Sequence, residues 1–100
     1  MTTELQLGVL ALLEAKPGKG DELATFLETG RELAATEPGT VTWYAYRAGE
    51  TLFGIFDTFA TEEARQAHLS GEIPRALDEV AAELLAGPPD IRLIDLIAAK

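Results

Sequence analysis

The segments of this chain that read as strands are apolar on both faces, and no other feature constrains its fold as much. In Thr51–Phe59, Leu52 and Phe56 occupy one parity while Phe53, Ile55 and Phe59 occupy the other. In Ile91–Ala98, Ile91, Leu93 and Ile97 alternate with Ile94 and Leu96. Leu5–Ala15 carries Leu5, Leu7, Val9, Ala11 and Leu13 on one face, with Leu10 and Leu12 among Gln6, Gly8 and Glu14 on the other. Successive strand side chains point to opposite faces, so a sheet made of these segments needs cover on both sides.

The intervening segments supply cover for one side. After the Pro17-Gly18 break, Leu23, Phe26, Leu27, Gly30, Leu33 and Ala34 recur at helical spacing, which predicts an amphipathic helix over about residues 19–36. Asp21 and Glu22 sit where a helix N-terminus favours negative charge. Gly30 falls on the apolar face of that helix, where close approach to the sheet would account for it. Thr40–Arg47, rich in Thr, Val, Trp and Tyr, predicts a second strand. Ala48-Gly49-Glu50 predicts a hairpin with Gly49 at positive φ. Thr61 is a good N-cap for a short helix ending near Leu69, and Ser70-Gly71 interrupts. A last helix, with Ile73, Leu77, Val80, Ala81, Leu84 and Leu85 on one stripe, stops at Gly87-Pro88-Pro89.

The order is β-α-β-β-α-β with the second helical region split. That order predicts an α+β, ferredoxin-like antiparallel sheet with the helices on one face. The uncovered face would expose more contiguous apolar area than a soluble monomer tolerates. Two copies packed sheet to sheet resolve this, so a homodimer forming an α+β barrel is expected.

At 100 residues the chain is expected to be a single domain, residues 1–100. Its 17 acidic against 8 basic residues give a net charge of −9, which disfavours nucleic acid and anionic membrane surfaces as partners. With no Cys and one His, an ordinary zinc site and a thiolate nucleophile are excluded. The only Ser, Ser70, lies two residues from the only His, His68, without a nucleophile elbow around it. Lys16–Gly20 is Gly-rich but lacks the phosphate-loop spacing. No signal peptide or membrane span is read, and a cytoplasmic location is expected.

A few residues could carry chemistry. His68 shares the sheet-facing side of its helix with Ala64. It reads either as a pocket base or as a packing residue bonded to a backbone carbonyl. Asp57 and Asp95 stand where the alternation expects an apolar residue. Each reads as a perturbed acid or base, or as a carboxylate paired with Arg47 or Arg92 or wetted at a strand end. Trp43 lies on one face of its strand and Tyr44 and Tyr46 on the other. They could wall a small aromatic or hydrophobic ligand or simply fill the strand surface. Gly8 and Gly54 lie inside strands, where something close above the sheet, such as a helix, would explain them.

Lys16-Pro17-Gly18-Lys19, the Glu37-Pro38-Gly39 break and Thr61-Glu62-Glu63-Ala64-Arg65-Gln66-Ala67-His68-Leu69 after an aromatic strand resemble the antibiotic-biosynthesis-monooxygenase domain family. The resemblance covers about Leu5 to Ala98. It implies a dimeric α+β barrel whose better-studied members hold substrate between sheet and helices. Those members include oxygenases that oxidise aromatic polyketides or quinols with O2 and no metal or flavin, and haem-degrading enzymes. The family's usual Trp nine residues before the helical His corresponds here to Phe59, and its Asn four residues earlier corresponds to Ile55. Both are therefore substrate-contact candidates without hydrogen-bonding groups. The chain contains no Asn, so haem degradation is not expected, and no cofactor is expected at all. The resemblance implies a cofactor-independent monooxygenase in which His68 or Asp57 removes a phenolic proton. The alternative is a catalytically silent binding or structural dimer of the same fold.

Overall fold

Alternation decides which side chains each strand sends toward the helices. The computed structural model describes residues 7–100. Its elements are β1 (Leu7–Glu14), α1 (Gly20–Ala34), β2 (Thr40–Arg47), β3 (Leu52–Phe59), α2 (Glu62–Leu69), α3 (Glu72–Leu84) and β4 (Asp90–Asp95). The sheet runs β2-β3-β1-β4 with every neighbouring pair antiparallel. This is the ferredoxin-like α+β arrangement, with the helices on one face. Leu23 and Leu27 of α1 and Leu77 and Leu84 of α3 pack with Ala11, Leu13, Phe53 and Ile55 of the sheet. No helix among the described residues is long and apolar enough to cross a membrane.

Local signals set most boundaries. Gly18, at φ 81°, takes the left-handed turn between β1 and α1 that a side chain would resist. Thr61 caps α2, its side chain accepting a hydrogen bond from the Ala64 N–H at 3.1 Å. Pro74 sits in the first turn of α3, where no intrahelical N–H is needed.

Three expectations are corrected. Gly49 does not adopt positive φ, because the β2–β3 connection is not a tight two-residue turn. The Arg47 guanidinium holds it instead, donating to the carbonyls of Gly49 at 3.1 Å and Glu50 at 3.0 Å. The last strand ends at Asp95, which pairs with Leu7, rather than at Ala98. Leu5 and Gln6, expected to begin the first strand, lie outside the described residues. Gly8 and Gly54 do make room, but on the open face of the sheet and not for a helix. The Ile94 side chain lies over Gly8, and the Tyr46 ring lies over Gly54.

That open face is apolar. Leu10, Leu12 and Phe56 lie on it half-buried, and Tyr44, 58% exposed, stacks on Phe56 with the ring planes 9° apart. On the helix side, β4 lies beyond the helices, leaving Ile91 and Leu93 about half exposed.

Candidate active site

Asp57 is the polar exception in the core. It lies mid-β3 on the helix side between Ile55 and Phe59, directly opposite Val9 and Trp43, and is 1% exposed. A carboxylate there needs a partner, and α2 delivers one. His68, 7% exposed, points its Nε2 at Asp57 Oδ2 at 2.9 Å. Its Nδ1–H donates to Glu37 Oε1 at 2.8 Å. Glu37 follows α1, and the same oxygen accepts from the Thr40 hydroxyl at 2.7 Å. Three separate segments thus meet at one imidazole ring.

The protonation state follows from the partners. A carboxylate only accepts, so each ring nitrogen is drawn toward carrying a proton. Burial of the ring favours the neutral form, but Asp57 and then Glu37 outweigh it and hold the His68 pKa above its ordinary value. The imidazolium is therefore favoured, which makes His68 a donor on both sides. Asp57 Oδ2 faces the imidazolium, while Oδ1 has no partner among the described residues. Across the strand pair, the buried Trp43 Nε1–H lacks an acceptor. An orphaned donor and an orphaned acceptor thus stand on cross-strand neighbours.

Trp43 also connects this cluster to open space. A groove of about 420 Å³ runs between α1 and β2, lined by Ala24, Leu27, Glu28, Arg31, Phe53 and residues 43–47. A second groove of about 230 Å³, lined in part by Glu37, shares Arg31 and Trp43 with the first. Neither groove is lined by His68 or Asp57. The Trp43 indole rests against Gly30 of α1, with 3.4 Å from its ring carbons to where a Cβ would stand.

A scan of family models matches residues 7–80 to the one described as antibiotic biosynthesis monooxygenase. The chain belongs to the antibiotic biosynthesis monooxygenase family. A Nitrosomonas europaea protein of unknown function, known by crystal structure, is 46% identical with a TM-score of 0.95. The alignment covers 99% of this chain and 96% of that one. A Pseudomonas aeruginosa protein matches at 19% identity and TM-score 0.80, over 98% of this chain and 100% of that one. A Caulobacter crescentus protein named as a candidate antibiotic biosynthesis monooxygenase matches at 23% identity and TM-score 0.77, over 95% of this chain and 92% of that one. The last two likenesses show the fold alone. No curated protein matches.

Within this family member, the sequence-derived candidates separate into two groups. His68, Asp57, Phe59, Ile55 and Trp43 share the helix side of the sheet, and the Phe59 ring lies 5.1 Å from the His68 ring. Tyr44 and Tyr46 direct their rings to the opposite face and cannot reach His68. Asp95 is exposed at the end of β4, and Arg92 pairs with Asp90. Asp57 meets neither Arg47 nor Arg92, and the His68 ring meets carboxylates rather than a backbone carbonyl. Sequence reasoning missed Glu37, which reads locally as part of a helix stop. It also missed Arg65, buried on α2 and donating to the carbonyls of Gly8 and Ile94 at 3.2 Å each. No local signal marks either one, because their partners lie 31 and 57 positions away.

Proposed function

We propose that this protein is a cofactor-independent monooxygenase that oxidises a small phenolic or hydroquinone-like molecule with O2. The observation that carries this reading is a pair of groups on cross-strand neighbours without partners among the described residues, the Trp43 Nε1–H and Asp57 Oδ1. A phenolic hydroxyl matches both, because it accepts from an indole N–H and donates to a carboxylate. The substrate ring lies in the α1–β2 groove against Trp43, and its hydroxyl must pass beside Trp43 into the core, where the O–H bond breaks with the proton passing to Asp57, which does not itself line the groove. His68 takes the positioning role, its Nε2 2.9 Å from Asp57 Oδ2. The substrate anion then passes one electron to O2, giving a substrate radical and superoxide. These combine at a ring carbon bearing hydrogen to a peroxide anion, which takes the proton back from Asp57 and loses water with that C–H hydrogen, leaving a carbonyl on the ring.

Oxygen consumption with a reactive anthrone as substrate tests this reading. General-base contributions are typically about 10²–10⁴-fold, so Asp57→Asn is expected to lose activity by that order. Trp43→Phe, which removes only the N–H donor and part of the ring, is expected to lose less. Wild-type protein that oxidises neither anthrones nor hydroquinones above buffer would refute the reading. We also propose that the active form is a homodimer packed through the open sheet face, supported by the apolar surface formed by Leu10, Leu12, Tyr44 and Phe56.

A further inference from the structure

The α1–β2 groove contains a charge without a partner among the described residues. With 17 acids to 8 bases, basic side chains in this chain find partners easily. Arg47 pairs with Asp21, Arg65 with Glu62, Arg75 with Glu72 and Arg92 with Asp90. The Arg31 side chain, in the last turn of α1, makes no hydrogen bond or ion pair among the described residues, although Glu28 one turn earlier lines the same groove. The negative end of the helix dipole accounts for a cation at that position. It does not account for a guanidinium left without a carboxylate in a chain of net charge −9. Arg31 lines both grooves, and so does Trp43. The remaining walls include the apolar Ala24, Leu27, Ala45 and Phe53, with Tyr44, Tyr46 and an Arg47 already paired with Asp21. A guanidinium beside an indole ring, over an apolar floor, calls for a ligand that is flat, apolar and supplied with an anionic acceptor.

We propose that the groove binds an aromatic carboxylate, with Arg31 taking the carboxylate and Trp43 the ring. This deepens the proposed function and rests on its placement of substrate in this groove, narrowing the substrate to a hydroxyarene that carries an anionic group. The guanidinium fork matches a carboxylate bidentately, so Arg31 selects for charge as well as shape. The acidic surface repels anions in general. A preference for the charged ligand therefore cannot come from the global field and must come from a local cation.

The test separates binding from turnover by working without O2. Isothermal titration compares 6-hydroxy-2-naphthoate with the neutral 6-hydroxy-2-naphthamide on wild type, Arg31→Gln and Asp57→Asn. Trp43 is the only tryptophan, so its indole N–H gives one resonance that reports occupancy of this groove. A charged hydrogen-bonded pair predicts that the acid binds wild type at least about 10-fold more tightly than the amide, with the indole resonance shifting. Arg31→Gln is expected to erase that preference, and Asp57→Asn to keep it. Equal affinities, a preference that survives Arg31→Gln, or binding without a shift of the indole resonance would overturn the inference. So would the absence of binding, which is the result if a second copy of the chain fills the groove. An acid preference lost in Arg31→Gln, in a protein that consumes no O2, would uphold the site and defeat the oxygenase reading instead.

Discussion

His68 sits between two carboxylates, so its removal has a larger effect than that of an ordinary packed ring. His68→Ala leaves Asp57 buried beside Phe59 with no cation, and Glu37 with only Thr40. Breaking a buried pair from one side typically costs about 3–5 kcal/mol, and urea denaturation at pH 7 is expected to show a loss in that range. A loss below about 1 kcal/mol, typical of exposed pairs, would mean that the cluster is effectively solvated. The effect also carries a pH signature. The folded-state pKa of His68 is raised, so protonation favours the folded chain. The stability contributed by His68 is complete below its unfolded pKa of about 6.5 and is lost as pH rises through the folded-state value. The difference in melting temperature between wild type and His68→Gln is expected to shrink across that rise. A difference that grows with pH would reverse the assignment of charge to this ring.

At the scale of elements, two glycines bracket the site and respond oppositely to the same substitution. A Cβ on Gly30 would meet only the Trp43 ring at 3.4 Å, an ordinary contact, and Gly costs a helix interior about 1 kcal/mol against Ala. Gly30→Ala is therefore expected to raise stability by up to about 1 kcal/mol. A Cβ on Gly39 would stand 2.7 Å from the Ala64 Cβ, so α2 must shift away from β2. Overpacking of this kind typically costs about 1–3 kcal/mol, and Gly39→Ala is expected to fall in that range and to move the His68 ring resonances. The order of elements was legible because each was announced locally, by the Pro17-Gly18 break, the Thr61 cap and the alternation in Thr51–Phe59. Parity alone placed Asp57 among Phe53, Ile55 and Phe59 and set Trp43 apart from Tyr44 and Tyr46. Glu37 was not legible, because its role exists only once α1, α2 and β3 converge. Nor was the true end of β4, since its register with β1 places Asp95 opposite Leu7.

The whole molecule raises the question of what covers the open sheet face. Gly8 and Gly54 let Ile94 and Tyr46 lie down against the strands, and Tyr44 stacks flat on Phe56. The resulting surface is broad and low, a shape suited to face-to-face packing at the roughly 10 Å spacing of stacked sheets. A stable interface buries about 800 Å² per partner, roughly one-eighth of the chain's 6272 Å² of accessible surface. Light scattering at micromolar concentration is expected to give about 21 kDa, twice the 10.7 kDa of one chain. The melting temperature is also expected to rise with protein concentration, as it does when folding is linked to association. Leu12→Asp places a charge at the centre of this face while leaving the helix-side core untouched. In a dimer that charge is buried without a partner, which the assembly tolerates poorly, whereas in a monomer it would sit in water at little cost. The variant is expected to run near 11 kDa and to melt lower than wild type, with no concentration dependence. A wild-type mass near one chain across the micromolar range would refute the dimer. A Leu12→Asp variant that keeps the doubled mass would move the interface to another surface, with the half-exposed Ile91 and Leu93 of β4 the next to test.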